Sequence, residues 1–529
     1  MKIYVCQTTP KVCDLENNFL QMRDLYLKSQ NLKADICLFP ELALPGYMVR
    51  DFFTYHDFVK SVEEYNQKLV EISGTTCLLI PTITSLGDKT LYNSVIAAQN
   101  GKIIGVTQKY SLPNYGIFEE TRYFKPGTPS IIRINNRNVG IPICADIWTP
   151  EVCYELKKQG AEIFLVPNAS PFEMNKFNAR YAILKDRYNE TKIPFIYCNQ
   201  VIAQDGIIFE GRSVLYDGDI KNIGAAFATS EKMVYFEHGK LSCLSYEMSP
   251  INIYQDILDA MIMGVKGYVQ DNNFEKVLIG LSGGIDSALV AYIAVKALGS
   301  KNVRAYMLPS IYTSQDSLTD AKKLADNLGI YLQNINIDEI CRQFINSLGG
   351  ANQVVEGTIT HQNIQSRVRG VILMGESNKH NALLLTTGNK SEYATGYATI
   401  YGDMNGAFNP IKDLYKTEIY QLANYINKKS NVIPQRIITK SPSAELKPLQ
   451  KDLDSLGAYE FLDPILKDYI ENKKSLNELK KIYDPILSSD IVNLVNKAEF
   501  KRRQSVIGVK LSHNSFDLER RVPITHYFR

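Results

Sequence analysis

The sequence predicts an α/β protein of two domains, a layered sandwich followed by a doubly wound parallel sheet. Three observations predict it. The chain has 529 residues, more than one ordinary hydrophobic core accommodates. Short apolar, β-branched runs that end in polar or Pro/Gly clusters recur through the first half, as strands do. Beyond residue 250 such runs alternate with helical periods, the pattern of parallel strands joined by crossover helices.

The elements follow in order. Met1–Val5, Ile36–Phe39, Cys77–Ile80, Ile103–Val106, Val139–Ile143 and Ile163–Val166 read as strands, and 15–30 and 150–160 as helices. Ile253, Ile257, Met261 and Val265 recur at four-residue steps on one helix face, and Asp271-Asn272-Asn273 stops that helix. Val277–Leu281 reads as a buried strand, followed by a Gly-rich turn and a helical segment, 287–298. Val303–Leu308, Ile335–Ile337 and Leu383–Leu385 read as strands, with helical segments at 318–328 and 363–375. The domains divide near residue 246, into 1–245 and 246–529.

Composition narrows the function. Hydrophobic residues make up 45% and charged residues 22%, as in soluble globular proteins, and a net charge of +3 argues against a bulk polyanion binder while permitting local basic sites. Nine cysteines without a C-x-x-C pair fit a reducing compartment, and six histidines without paired spacing argue against structural zinc. No apolar run approaches the ~18 residues that span a bilayer, and the N-terminus does not read as a signal peptide. A cytoplasmic protein is expected.

Three polar residues follow three expected strands: Glu41 after Leu38-Phe39-Pro40, Lys109 after Val106-Thr107-Gln108, and Cys144 after Ile141-Pro142-Ile143. Their chemistry is coherent. Cys144 would attack a carboxamide carbon, and its thiol needs a base or a positive neighbour. Glu41 could take that proton and deliver it to departing ammonia. Lys109 would stabilise a tetrahedral oxyanion. Singly, each has a plain reading as core or solvated surface.

A second constellation is Gly280-Leu281-Ser282-Gly283-Gly284-Ile285-Asp286-Ser287, between an expected strand and helix. Glycines permit close backbone approach, and successive N–H groups at a helix N-terminus cradle anions. Ser282 and Ser287 can donate to phosphate oxygens, and Asp286 suits a magnesium ion bridging to them. The string lacks the Walker lysine.

The flanks carry a resemblance. Phe39-Pro40-Glu41-Leu42 with Pro45-Gly46-Tyr47, Lys109-Tyr110-Ser111-Leu112-Pro113-Asn114-Tyr115 and Ile143-Cys144-Ala145-Asp146-Ile147-Trp148 resemble the nitrilase superfamily, specifically the glutaminase domain of two-domain NAD synthetases. The resemblance implies an α-β-β-α sandwich in which Glu41 is the general base, Lys109 the oxyanion-side lysine and Cys144 the nucleophile. It further implies that Glu120, beside Glu119, is the second glutamate of the site, and that Tyr115, Ser170 and Lys176 bind glutamine. Ala145 stands where the family often has an acidic residue.

The Ser-Gly-Gly-x-Asp-Ser string resembles the loop of ATP pyrophosphatases. Asn363–Gly370, Leu385–Glu392, Tyr401-Gly402-Asp403, Asn409-Pro410 and Phe500–Gln504 are similar to NAD synthetases in particular. The likeness implies an adenine nucleotide alpha hydrolase-like domain. Its ATP contacts would be the loop Gly280–Ser287 with Thr387, Lys416 and Ser443. Its deamido-NAD contacts would be Asn363, Arg367, Glu392, Tyr397 and Lys501. Asp286 and Glu392 would hold Mg2+, with ATP as co-substrate. Arg502-Arg503 also has a plain reading as a solvated basic turn, and Ile400 lies where some relatives carry a charge. Together the halves imply glutamine-dependent amidation of deamido-NAD through an adenylate, with an internal ammonia passage and a homo-oligomer, dimer or larger.

Overall fold

The computed structural model describes residues 1–86, 90–247, 251–448, 450 and 457–526. The chain divides into two compact units, Met1–Asn252 and Ile253–Arg529.

The first unit holds two mixed sheets. One runs in the order Lys240–Cys243, Ser230–Glu237, Lys2–Gln7, Ile36–Leu38, Cys77–Leu86, Thr90–Gln99, Lys102–Gln108; the other runs Ile220–Asn222, Val214–Tyr216, Phe195–Asn199, Ile163–Asn168, Arg137–Gly140, Ile131–Ile134. Period-two alternation places the layers. Ile163 and Leu165 pack with Ile3, Val5, Ile36 and Leu38 between the sheets. Phe164 and Val166 point the other way, against Val152 and Leu156 of helix Pro150–Lys158 and Leu184 of helix Lys176–Thr191. Helices Leu15–Asn31 and His56–Glu71 cover the seven-stranded sheet, where Tyr26 donates to the Thr76 carbonyl (2.8 Å) and Asn66 to that of Ile83 (3.2 Å). The result is the α-β-β-α sandwich.

One strand is shorter than expected. The run Val139–Ile143 leaves the sheet at Gly140. Pro142 has no N–H for a ladder, and the Ile143 N–H goes instead to Asp146 Oδ2 at 2.9 Å.

The second unit holds a four-stranded parallel sheet in the order Tyr331–Asn334, Val303–Met307, Lys276–Gly280, Ala382–Leu385. Leu278, Tyr306 and Leu384 pack with Ile364 and Val368 of helix Ile359–His380, while helix Ile285–Leu298 lies against the two central strands. The third strand is Tyr331–Asn334, not Ile335–Ile337. As an edge strand it is half-exposed and polar, and the apolar Ile337 is buried at the start of helix Asp338–Ser347 instead. Helices Tyr459–Ile470, Leu476–Ile482 and Pro485–Lys497 add a further apolar cluster with Ala394 and Tyr415. No helix among the described residues is long and apolar enough to cross a membrane.

Candidate active sites

In the first unit, Glu41, Lys109 and Cys144 meet with Glu120. Glu41 and Lys109 are entirely buried. Lys109 Nζ donates to Glu41 Oε1 at 2.6 Å and to Glu120 Oε1 at 2.7 Å. Asn93 Nδ2 also donates to Glu41 Oε1 (2.8 Å), and the Tyr47 hydroxyl to Glu120 Oε1 (2.6 Å). Burial pulls the Lys109 pKa down, but Glu120 and Glu41 outweigh it, so the ammonium stays charged. Burial raises the Glu120 carboxyl, against the pull of Lys109. Glu119, next along the chain, is half-buried.

Cys144 opens a short 3-10 turn, Cys144–Ile147, with φ of 45°, a left-handed conformation that non-glycine residues rarely adopt. Burial holds its thiol well above the usual range, with Glu41 pushing the same way and Lys109 and the Ala169 N–H opposing. The same Ala169 N–H donates to Glu41 Oε2 at 3.2 Å, so thiol and carboxylate share a neighbour. A resting thiol of this kind reacts only when a base takes its proton.

The three expected glutamine contacts differ in setting. Ser170 is buried, its hydroxyl accepting from Arg180 Nε at 3.1 Å. Tyr115 is exposed and meets Phe118 edge-on. Lys176 Nζ lies 6.0 Å from the centre of the Phe118 ring, so Phe118 joins those two residues.

In the second unit the loop Gly280–Ser287 leaves the central strand beside Ala382–Leu385, where the strand order reverses and open α/β sheets bind ligands. Leu281 and Ile285 are buried, and the Leu281 N–H donates to the Tyr306 carbonyl (2.8 Å). Ser282 and Ser287 hydroxyls stand 3.1 Å apart, and the Gly284 N–H donates to Ser282 Oγ (3.2 Å). Gly283 has φ of +80°, and a Cβ there would lie 2.5 Å from the Ser317 carbonyl oxygen.

Asp286 is held from both sides. Lys416 Nζ contacts Asp286 Oδ2 at 2.5 Å and lies 3.8 Å from Glu392 Oε1. Asn389 Nδ2 donates to Asp286 Oδ1 at 3.0 Å, and Asn389 Oδ1 accepts the Glu392 N–H at 3.0 Å. Both carboxylates lie against the Lys416 ammonium, and a pair of acids is a donor set of the kind magnesium takes together with phosphates and water. Thr387 is half-buried in the loop after strand Ala382–Leu385. The Ser443 hydroxyl donates to the Gln450 carbonyl (2.5 Å) and accepts the Glu445 N–H (3.1 Å).

Of the expected deamido-NAD contacts, Glu392 lies with Asp286 and Lys416, and Asn363, Arg367, Tyr397 and Lys501 gather on the segment 396–403. Asn363 Oδ1 accepts from Thr399 Oγ1 (3.0 Å), Arg367 Nε donates to the Ile400 carbonyl (3.2 Å), and Lys501 Nζ donates to the carbonyls of Gly396 (2.7 Å) and Ala398 (2.8 Å). Burial lowers the Lys501 pKa, with Asp403 opposing. The Tyr397 hydroxyl accepts from Gln450 Nε2 (3.2 Å). Arg502 is no solvated turn. It is buried and bonds Glu499 (2.8 Å) and the Ala394 carbonyl (2.7 Å), so its role is packing.

Two protein families match the chain, carbon-nitrogen hydrolase over residues 2–237 and NAD synthase over 257–505. Each match falls within one compact unit. The glutamine-dependent NAD(+) synthetase of Thermotoga maritima is 37% identical, aligned over 100% of this chain and 99% of its own. That of Acinetobacter baylyi is also 37% identical, over 100% and 99%. The chain belongs to the glutamine-dependent NAD(+) synthetase family. The solved structure of the Acinetobacter baumannii enzyme of that name, in complex with adenosine diphosphate, has a TM-score of 0.80 at 33% identity and covers 99% of this chain and 98% of its own.

Several residues of this member of the glutamine-dependent NAD(+) synthetase family support the sites without having been singled out by sequence. Asn93 lies inside strand Thr90–Gln99, where its only signal is a buried polar residue in an apolar run. Tyr47 and Asp146 sit in the strings around Glu41 and Cys144, without a spacing that reveals their partners. Glu445 Oε1 accepts from Ser314 Oγ (2.8 Å), Ser317 Oγ (2.9 Å) and Lys440 Nζ (2.8 Å), fixing the helix start on which the Gly283 turn rests. Arg369 is half-buried at the strand ends, its Nε donating to the Leu308 carbonyl (3.0 Å).

Proposed function

We propose that the chain makes NAD from deamido-NAD, ATP and glutamine, at two sites. At the first, Glu41 takes the Cys144 proton as the sulfur attacks the side-chain amide carbon of glutamine, and Lys109 stabilises the oxyanion. Ammonia leaves with the proton from Glu41. Water then hydrolyses the thioester to glutamate, with Glu41 again as base and Glu120 holding Lys109. Tyr115, Ser170 and Lys176 orient the glutamine.

At the second site the nicotinate carboxylate of deamido-NAD attacks the α-phosphorus of ATP and pyrophosphate leaves. Ammonia then displaces AMP from the adenylate. The loop Gly280–Ser287, Thr387, Lys416 and Ser443 bind ATP; Asn363, Arg367, Glu392, Tyr397 and Lys501 bind deamido-NAD. Asp286 and Glu392 would hold Mg2+, which neutralises phosphate charge when bound. The reading includes a homo-oligomer and a cytoplasmic setting.

The observation that carries this reading is the buried Lys109 held by Glu41 and Glu120 beside Cys144, in a chain of this family. The test is NAD formation from deamido-NAD and magnesium-ATP with glutamine or with ammonium. Wild type should use both nitrogen sources and Cys144→Ala only ammonium. Loss of both in a folded Cys144→Ala variant, or no NAD in wild type, would overturn it.

A further inference from the structure

Asp146 is 1% exposed and spends both carboxylate oxygens on backbone. Oδ1 accepts the N–H groups of Ser111 (2.7 Å) and Tyr110 (3.2 Å), and Oδ2 accepts that of Ile143 (2.9 Å). Tyr110 and Ser111 directly follow Lys109, and Ile143 directly precedes Cys144. One carboxylate therefore joins the two segments that deliver the ammonium and the thiol. It also braces the turn that holds Cys144 at its left-handed φ. Only an ionised carboxylate accepts at both ends, since an amide has a donor on one side.

We propose that Asp146 is a positioning residue for the amidase reaction, setting the Cys144 thiol against the Lys109 ammonium without touching substrate. The inference rests on Cys144 as nucleophile. A displacement of about 1 Å at a reacting group lowers rate about 100-fold while leaving binding nearly intact.

The ionisable groups that face Asp146 are Lys109, across the Tyr110–Ser111 segment, and Cys153, on helix Pro150–Lys158. Lys109 stays charged, and burial pushes the Cys153 thiol up to about 12. Burial pushes the Asp146 carboxyl up to about 6, against the pull of its backbone donors, so it is the member of this group that changes charge in mildly acid solution.

The experiment compares glutamine hydrolysis by wild type and Asp146→Asn in the full-length enzyme. Trp148, the single tryptophan, reports the integrity of the turn by fluorescence. We expect kcat to fall roughly 100-fold with KM for glutamine within about threefold, ammonium-dependent synthesis unchanged, and alkylation of Cys144 by iodoacetamide slowed. The alkylation rate falls with pH in both proteins, because the buried thiol must lose its proton, and wild type should lose more of its rate than Asp146→Asn as pH drops through about 6. Unchanged kcat in a folded Asp146→Asn variant would overturn the proposal. If that variant does not fold, unchanged kcat in a folded Asp146→Ser variant, whose hydroxyl is too short to bond both segments, would do so. Glutamine hydrolysis by Cys144→Ala would instead reject the nucleophile assignment on which it rests.

Discussion

Lys109 and Glu41 face each other at 2.6 Å with both side chains wholly out of water. Such a pair is held by its geometry, because each charge removed from water needs the other. Lys109→Met leaves Glu41 and Glu120 buried without their cation. We expect a loss of about 3–5 kcal/mol in the stability of the first unit, read by denaturant unfolding. Glutamine hydrolysis should fall by roughly 100-fold or more, the scale for losing one oxyanion donor. Ammonium-dependent NAD synthesis should persist. Full glutaminase activity in this variant would remove Lys109 from the chemistry.

The burial of Asp146 has a consequence for stability whose sign is opposite to that for activity. Its carboxyl is raised from 3.8 to about 6. Between those values the folded chain holds a proton that the unfolded chain has released. The contribution of this group to stability is therefore fully present below about 4 and is lost as pH rises through about 6. An asparagine side chain cannot titrate, so the stability of Asp146→Asn relative to wild type should improve as pH rises from 4 to 7. Thermal melts across that range test it, and a difference that moves the other way would contradict the assigned shift.

The sites were legible where chemistry stood next to a strand end. Glu41, Lys109 and the loop at Gly280 each follow an apolar run, so their place could be read from local pattern. Asn93 and Asp146 could not, because their roles lie in hydrogen bonds to residues 52 and 35 positions away. The strand Tyr331–Asn334 escaped for a different reason. Among the described residues it pairs with a single strand, Val303–Met307, so it lacks the apolar run that marks a buried strand. The helices between 459 and 497 bury their apolar faces on one another and on Ala394 and Tyr415, and no strand alternates with them to draw attention.

Gly283 offers a test of the second site alone. An alanine there meets two obstacles: the positive φ, which costs about 1–2 kcal/mol, and the Ser317 carbonyl oxygen 2.5 Å from the new Cβ. That carbonyl belongs to helix Gln315–Leu328, whose start Glu445 fixes through Ser314 and Ser317. It is backbone and has little freedom to retreat. Gly283→Ala should therefore push the loop off its N–H arrangement. Ammonium-dependent synthesis should fall at least tenfold, with KM for ATP raised, while glutamine hydrolysis measured without ATP is unchanged. An unaltered KM for ATP would show that the loop does not hold the triphosphate.

The final prediction concerns the carboxylates at 286 and 392. Asn389 bonds Asp286 through its amide and Glu392 through the helix start, so one side chain fixes both acids. Lys416 lies against them and leaves the cluster one net negative charge. One net negative charge and two carboxylates are a weak site for magnesium alone, so the phosphates of ATP are needed to complete its ligands. Asp286→Asn should raise the magnesium concentration for half-maximal synthesis at least tenfold, and chelation by EDTA should stop synthesis but not glutamine hydrolysis. Manganese titration by electron paramagnetic resonance should show tight binding to wild type only with ATP present, and its loss in Asp286→Asn. Asn389→Ser keeps an acceptor for the Glu392 N–H but gives up the amide that reaches Asp286. It should weaken manganese binding less than Asp286→Asn does. Equal manganese affinity in wild type and Asp286→Asn would place the metal elsewhere and leave this pair as a structural partner of Lys416.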